Sequence, residues 1–305
     1  MTRFLTGRLA ATVITLWLLA TAGFLLVELI PGDPARTLAG PQASADTIQR
    51  ITEAYGLDEP LWVRYTESVS KLAQGDFGYS FSRSEAVSSV IGRSLPPTLL
   101  LTLLAFAVEV MLAIPLALFV VGKRNRIVDN ALVAAAGATS AIPPFLVGLV
   151  LLYLFAFRLG WLPLGGSGSA AAYVLPVASL AVPFGLVLAR LLRTTLLEEE
   201  DRAYVTFALA RGEKPWLVRL RHALPNALLP LFSVLALDFV ALFSSVAIVE
   251  VAFSIEGLGS DLFDALRRLD TPLIIGIGLV AGLVVAAVNL LADLSVIALD
   301  PRVRR

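Results

Sequence analysis

Few residues in this chain could do chemistry, and most of them lack the neighbours that chemistry needs. Gly165-Gly-Ser-Gly-Ser169 resembles a serine nucleophile run, but a serine must have a base beside it. No histidine lies in an apolar segment to serve, so the run is expected to be a flexible loop. Lys123 and Lys214 lack the upstream glycine and following hydroxyl residue of a phosphate-binding loop, so the chain cannot hydrolyse nucleotide by that route. The single histidine, His222, and the absence of cysteine rule out a multi-histidine metal site, disulfides and thiolate chemistry. His222 is expected to be a polar residue on a surface helix.

The other ionisable groups of interest lie inside apolar stretches. Glu109 and Asp238 are flanked by long hydrophobic runs. A charge at bilayer depth costs at least about 2.5–3.5 kcal/mol, so both should face protein or water and not lipid. Asp238, with Ser244 and Ser245 one or two turns on, has two readings. It is a hydrogen-bonded packing residue, or it lines a hydrated path for a polar solute together with Ser244, Ser245 and Glu109. Glu250 and Asp293 fall near span ends, where a structural role is expected.

Composition sets the elements that position these residues. The 305 residues are 57% hydrophobic and 16% charged, with mean hydropathy +0.83, values that place the chain among polytopic membrane proteins. Its 24 basic and 24 acidic residues cancel, so no bulk field recruits nucleic acid. The spacing predicts an all-α protein with six transmembrane helices, at 9–30, 96–121, 131–157 (interrupted at Pro143-Pro144), 173–193, 227–252 and 273–298. The first is expected to be a retained span and not a cleaved signal. Residues 31–95 form a polar cap with short amphipathic helices over 47–55 and from Pro60 to Gly75. Residues 253–272 are a polar connector. Segments at 1–8, 122–130, 190–226 and the tail hold 15 basic residues against nine on the other side, six of them in the long cap that counts little. The expectation is therefore N-in, C-in.

The segment Asp201–Asn226 then lies on the cytoplasmic face. A helix from Ala203 with an apolar side at Tyr204, Val205, Ala208 and Leu209 should stop at Gly212. Pro215 opens a second helix with Trp216, Leu220 and Ala223 on one face and Arg219, Arg221 and His222 polar. Neither piece is long enough to cross a bilayer.

This unit resembles the coupling loop, or EAA region, of ABC importer permeases: Ala208, Ala210 and Gly212 in A-x-A-x-G after Tyr204-Val205, then Arg221-His-Ala-Leu-Pro-Asn-Ala227. The usual glutamate before the alanines is missing, as in the peptide-importer branch. Leu29-Ile-Pro-Gly-Asp-Pro34, Gly56-Leu-Asp58, Gly75-Asp-Phe-Gly-Tyr-Ser80, Pro97-Thr-Leu99, Leu159-Gly-Trp-Leu-Pro163, Glu250-Val-Ala-Phe253 with Gly257-Leu-Gly259, Asp270-Thr-Pro272, Asn289-Leu-Leu-Ala-Asp293 and Asp300-Pro-Arg302 resemble the B-type permease of dipeptide and oligopeptide importers along almost the whole chain. Ile255-Glu256 stands where that family usually has a proline.

The resemblance implies a type I permease fold in a bacterial inner membrane. It implies a homologous second permease as heterodimer partner, two cytoplasmic ATPase subunits, an extracytoplasmic solute-binding protein and a peptide substrate. ATP and Mg would be held by the ATPases, with no cofactor in this chain. Tyr204, Val205, Phe207, Ala208, Ala210, Arg211, Gly212 and Glu213 would form the ATPase-coupling surface. Nickel and glutathione importers share the pattern and are alternatives. An ion-coupled secondary transporter would not need the structured cytoplasmic unit, and an intramembrane protease lacks its base.

Overall fold

The computed structural model describes residues 2–29, 44–54, 58–80, 82–123 and 125–299. Residues 30–34 of the first motif, Gly56-Leu57 of the second and the Asp300-Pro-Arg302 motif lie outside them. The elements are α1 (Thr2–Leu29), α2 (Ala45–Ala54), α3 (Leu61–Ala73), β1 (Tyr79–Ser80), β2 (Glu85–Ala86), α4 (Val87–Lys123), α5 (Arg126–Ala141) and α6 (Pro144–Leu151, running on as a π-helical stretch to Arg158). Then come α7 (Val174–Glu200), α8 (Ala203–Ala210), α9 (Pro215–Val218), α10 (Leu224–Leu228), α11 (Leu231–Phe253), α12 (Leu258–Arg268) and α13 (Thr271–Leu299). Among the described residues, four helices are long and apolar enough to span a bilayer: α4, α7 with its lead-in turn, α11 and α13. The bent pair of α5 and α6 gives a fifth. Helix α1 is 28 residues long and apolar in sequence from Leu9.

Several boundaries differ from the sequence expectation for physical reasons. Helix α4 begins at Val87 and runs through Pro96 and Pro97. These prolines remove the helical donors to the Gly92 and Arg93 carbonyls, and both residues are exposed. At Pro143 the backbone is extended (ψ 137°) ahead of Pro144, as a residue preceding proline prefers. The interruption there is a 99° bend between two helices. The connector at 253–272 contains a helix, α12, which its glycines and charges concealed. The run Gly165–Ser169 is not slack either: Gly166 N donates to the Phe253 carbonyl at 2.9 Å.

The chain divides into two compact units, 1–94 with 261–286, and 95–260 with 287–305, the boundaries falling within α4, α12 and α13. In the first unit, α1 meets α3 through an edge-to-face pair of Phe24 and Tyr65, with the Tyr65 hydroxyl 2.8 Å from Thr21 Oγ1. The β1–β2 hairpin is fastened by carboxylates. Asp270 accepts from Ser80 Oγ (2.6 Å) and Ser82 N (2.9 Å). Asp261 accepts from Arg83 and Ser94.

In the second unit, α7 is the central element, packed by α5, α6 and α11. Its apolar core includes Leu101, Leu180, Leu242, Val246 and Phe253. The Glu250 carboxylate is fully buried at the end of α11 and accepts from Thr98 Oγ1 (2.6 Å), Gly259 N (2.7 Å) and Ser260 N (3.3 Å). Thr98 Oγ1 in turn accepts from Leu258 N. A β-carbon at Gly257 would stand 2.1 Å from Glu250 Oε1, so the glycine makes the space that the carboxylate fills.

Gly257→Ala should displace Glu250 and leave buried donors unpaired, destabilising the protein by at least about 2 kcal/mol. Thermal unfolding in detergent should show a lowered midpoint, while Gly278→Ala, with nothing within 4 Å of the added carbon, should unfold like the parent.

Candidate functional site

The site is built where α7 leaves the apolar core. Its last turn is Glu198-Glu199-Glu200, followed by a tight turn at Asp201-Arg202 and then α8. Eight residues cannot hold a helix in water unaided. Helix α8 is held by packing: Val205 and Ala208 are buried in a cluster with Leu192, Leu196, Val218, Ala223, Leu224 and Ala227. The chain then reverses at Gly212, whose φ of +84° a side chain would strain. Gly212 N donates to the Leu209 carbonyl at 2.9 Å, and Glu213 N donates to the Ala208 carbonyl at 3.4 Å. From Pro215 the backbone stays helical through α9, a π-helical stretch (Arg219–Ala223) and α10.

Polar contacts fix this hairpin to the end of α7. Arg219 Nε pairs with Glu200, both largely buried. The Tyr204 hydroxyl donates to Glu199 and accepts from Asn226 Nδ2 at 3.2 Å. Asn226 Nδ2 also donates to the His222 carbonyl at 2.8 Å. Partial burial, and then the bond to Glu199, push the Tyr204 phenol up to about 12, so it keeps the proton it donates throughout the physiological range. His222 Nε2 lies 3.1 Å from Glu213 Oε2.

Of the residues expected to carry the coupling surface, Val205 and Ala208 face inward, whereas Tyr204, Phe207, Ala210, Arg211 and Gly212 are exposed and Glu213 is half-buried. Phe207 is 67% exposed. The expected apolar faces need correction. Tyr204 and Leu209 do not share the buried side of α8, and Trp216, 60% exposed, and Leu220 point away from the core that Val218 and Ala223 enter. Tyr204, Phe207, Leu209, Trp216 and Leu220 are thus all exposed on the hairpin. Sequence reading missed Glu199, Glu200 and Arg219 as fasteners. The signal available was three consecutive glutamates ahead of a basic segment.

The structure brings Glu109 of α4 beside Asp238 of α11, next to the edge-to-face pair of Phe106 and Phe239. Glu109 is fully buried, and no donor among the described residues reaches either of its oxygens in hydrogen-bonding geometry. The Ser244 and Ser245 hydroxyls donate to the Val240 (3.0 Å) and Ala241 (2.8 Å) carbonyls of their own helix.

Residues 110–305 match the family model described as the binding-protein-dependent transport system inner membrane component, and residues 1–102 match its N-terminal counterpart. The chain belongs to this family. It is the permease of an ABC importer, a multi-pass inner-membrane protein, and permeases of this family are not themselves catalytic. A probable peptide ABC transporter permease, y4tP of Sinorhizobium fredii, is 32% identical over 99% of both chains. The glutathione transport system permease GsiC of Escherichia coli K12 is 32% identical over 100% of this permease and 99% of its own length, and the Salmonella choleraesuis GsiC is 33% identical over the same shares. Inward-facing structures of the MetNI methionine ABC transporter share the fold, with TM-score 0.54 and 17–18% identity over 69% of this permease and 96% of that chain. The type I importer fold expected from the sequence is the one observed. Membership in the family implies ATPase and solute-binding-protein partners.

Glu200→Ala should strand the largely buried Arg219 guanidinium, a loss of about 3–5 kcal/mol when one partner of a buried pair is removed. Tryptic cleavage after Arg211 in the detergent-solubilised permease should accelerate. A Glu200→Met, Arg219→Met double variant should be cut more slowly than the single variant.

Proposed function

We propose that this permease forms half of the translocation path of an importer for short peptides, and that α8 is the lever through which a cytoplasmic ATPase moves it. One observation carries the coupling role: an eight-residue helix outside the spans is locked to the end of α7 by Val205, Ala208, Tyr204 and the Arg219–Glu200 pair, while Phe207 is left bare. A helix so fastened transmits displacement as a rigid body, where a loop would absorb it. Tyr204, Val205, Phe207, Ala208, Ala210, Arg211, Gly212 and Glu213 make this coupling element, with Val205 and Ala208 anchoring it and Phe207 entering the partner's groove. ATP hydrolysis resides in two separate ATPase subunits, and a homologous second permease completes the path. The bias of basic residues places α8 on the cytoplasmic side and both termini with it.

The peptide reading is supported by relatives named for peptide and glutathione transport, glutathione being itself a tripeptide. Asp238, half-buried beside Glu109, is the candidate contact between the path and a polar solute. Ser245, seven residues on and so on the same side of α11, is the next, with Ser244 beside it.

Two variants separate these roles. Gly212→Val forces a β-branched residue to φ +84° and should misdirect α8: the complex assembles and hydrolyses ATP, but uptake of labelled dipeptide falls at least tenfold. Normal uptake would remove the lever role. Asp238→Ala should lower uptake with assembly intact, whereas parallel loss of both would make Asp238 a packing residue.

A further inference from the structure

Helix α12 is not accounted for by transport or coupling. It buries Leu258, Asp261 and Ala265 and turns a different face outward. Phe263 is 41% and Leu266 51% exposed, and Leu269, just past the helix, is 52% exposed. Positions 263, 266 and 267 are i, i+3 and i+4 neighbours, and the Arg267 guanidinium lies 4.4 Å from the Phe263 ring centroid. Arg268 follows. Among the described residues no carboxylate pairs with either arginine.

Chain connectivity decides what covers this face. Four residues (254–257) separate α12 from the end of α11, and two (269–270) separate it from the start of α13, both membrane spans. At about 3.3–3.6 Å per step, the five steps of the first tether reach at most about 18 Å and the three of the second about 11 Å, and the second is folded back, Asp270 N donating to the Ala265 carbonyl at 2.9 Å. The head-group layer on each side of the hydrocarbon is about 5–8 Å thick. The arginine-bearing end of α12 is therefore confined to about head-group depth, continuous with the bilayer surface that its neighbouring spans already occupy. Exposed Phe and Leu beside unpaired arginines form the pattern of a helix lying in a membrane interface. An arginine folded over a ring keeps its charge on the water side while its stem covers apolar surface.

We infer that α12 is an interfacial helix, with Phe263, Leu266 and Leu269 seated at the acyl-chain boundary and Arg267 and Arg268 binding the phosphates of anionic phospholipids. The site is independent of solute and ATPase, so its test does not depend on transport. The chain contains no cysteine, and a nitroxide at Leu266→Cys reports local depth once cysteines of the partner subunits are replaced. The complete transporter is reconstituted in phosphatidylcholine vesicles with or without phosphatidylglycerol. The label should collide with oxygen severalfold more often than with a water-soluble nickel chelate. That ratio should rise with phosphatidylglycerol, and an Arg267→Gln, Arg268→Gln double variant should abolish the rise. Free access of the chelate in both lipids would overturn the inference. So would protection that develops only when the solute-binding protein is added, which would make the face a protein-docking surface. A phosphatidylglycerol effect unchanged in the double variant would overturn the role of the arginines.

Discussion

A helix of eight residues can neither cross a bilayer nor persist alone in water, and the working of this permease rests on how α8 escapes that limit. It borrows stability from the spans. Val205 and Ala208 complete an apolar cluster whose other members come from α4, α7, α9, α10 and α11. The Arg219–Glu200 pair and the Tyr204–Glu199 bond tie both arms of the hairpin to the last turn of α7. A force on α8 is therefore a force on α7, which packs against α5, α6 and α11. The same residues that make the hairpin stable tie it to α7, as the proposed lever requires.

At its other end, the same unit is closed by a buried charge. Glu250 accepts from the Thr98 hydroxyl and from the Gly259 and Ser260 amides. A carboxylate out of water is tolerable only when donors replace its hydration, and Gly257 and Gly259 let the chain wrap closely enough to supply them. Asp261 and Asp270 do similar work in the first unit, where they hold the β1–β2 hairpin. Acidic residues at turns thus stand in for the hydrophobic packing that short polar connections cannot provide.

Sequence reading recovered what local signals encode. Apolar length marked the spans, and Gly212 marked the stop of α8 because a left-handed residue after a helix is usually glycine. It failed where the information is non-local. Helix α8, AYVTFALA, is apolar nearly all round, so periodicity could not tell that Phe207 points out and Val205 in. Glu250 and Thr98 are 152 positions apart, and nothing near either announces the other. Glu109 and Asp238 were each legible as residues that must avoid lipid, but not as neighbours. Helix α12 was hidden because Gly257 and Gly259, needed for the approach to Glu250 and Ala247, read as loop.

The most direct test of the lever is the accessibility of Phe207→Cys, the single thiol in an otherwise cysteine-free chain, to a membrane-impermeant maleimide. The account predicts no labelling in intact cells, labelling in inside-out vesicles stripped of ATPase subunits, and protection when those subunits are restored. Labelling from outside the cell, or equal labelling with and without the ATPase, would contradict it.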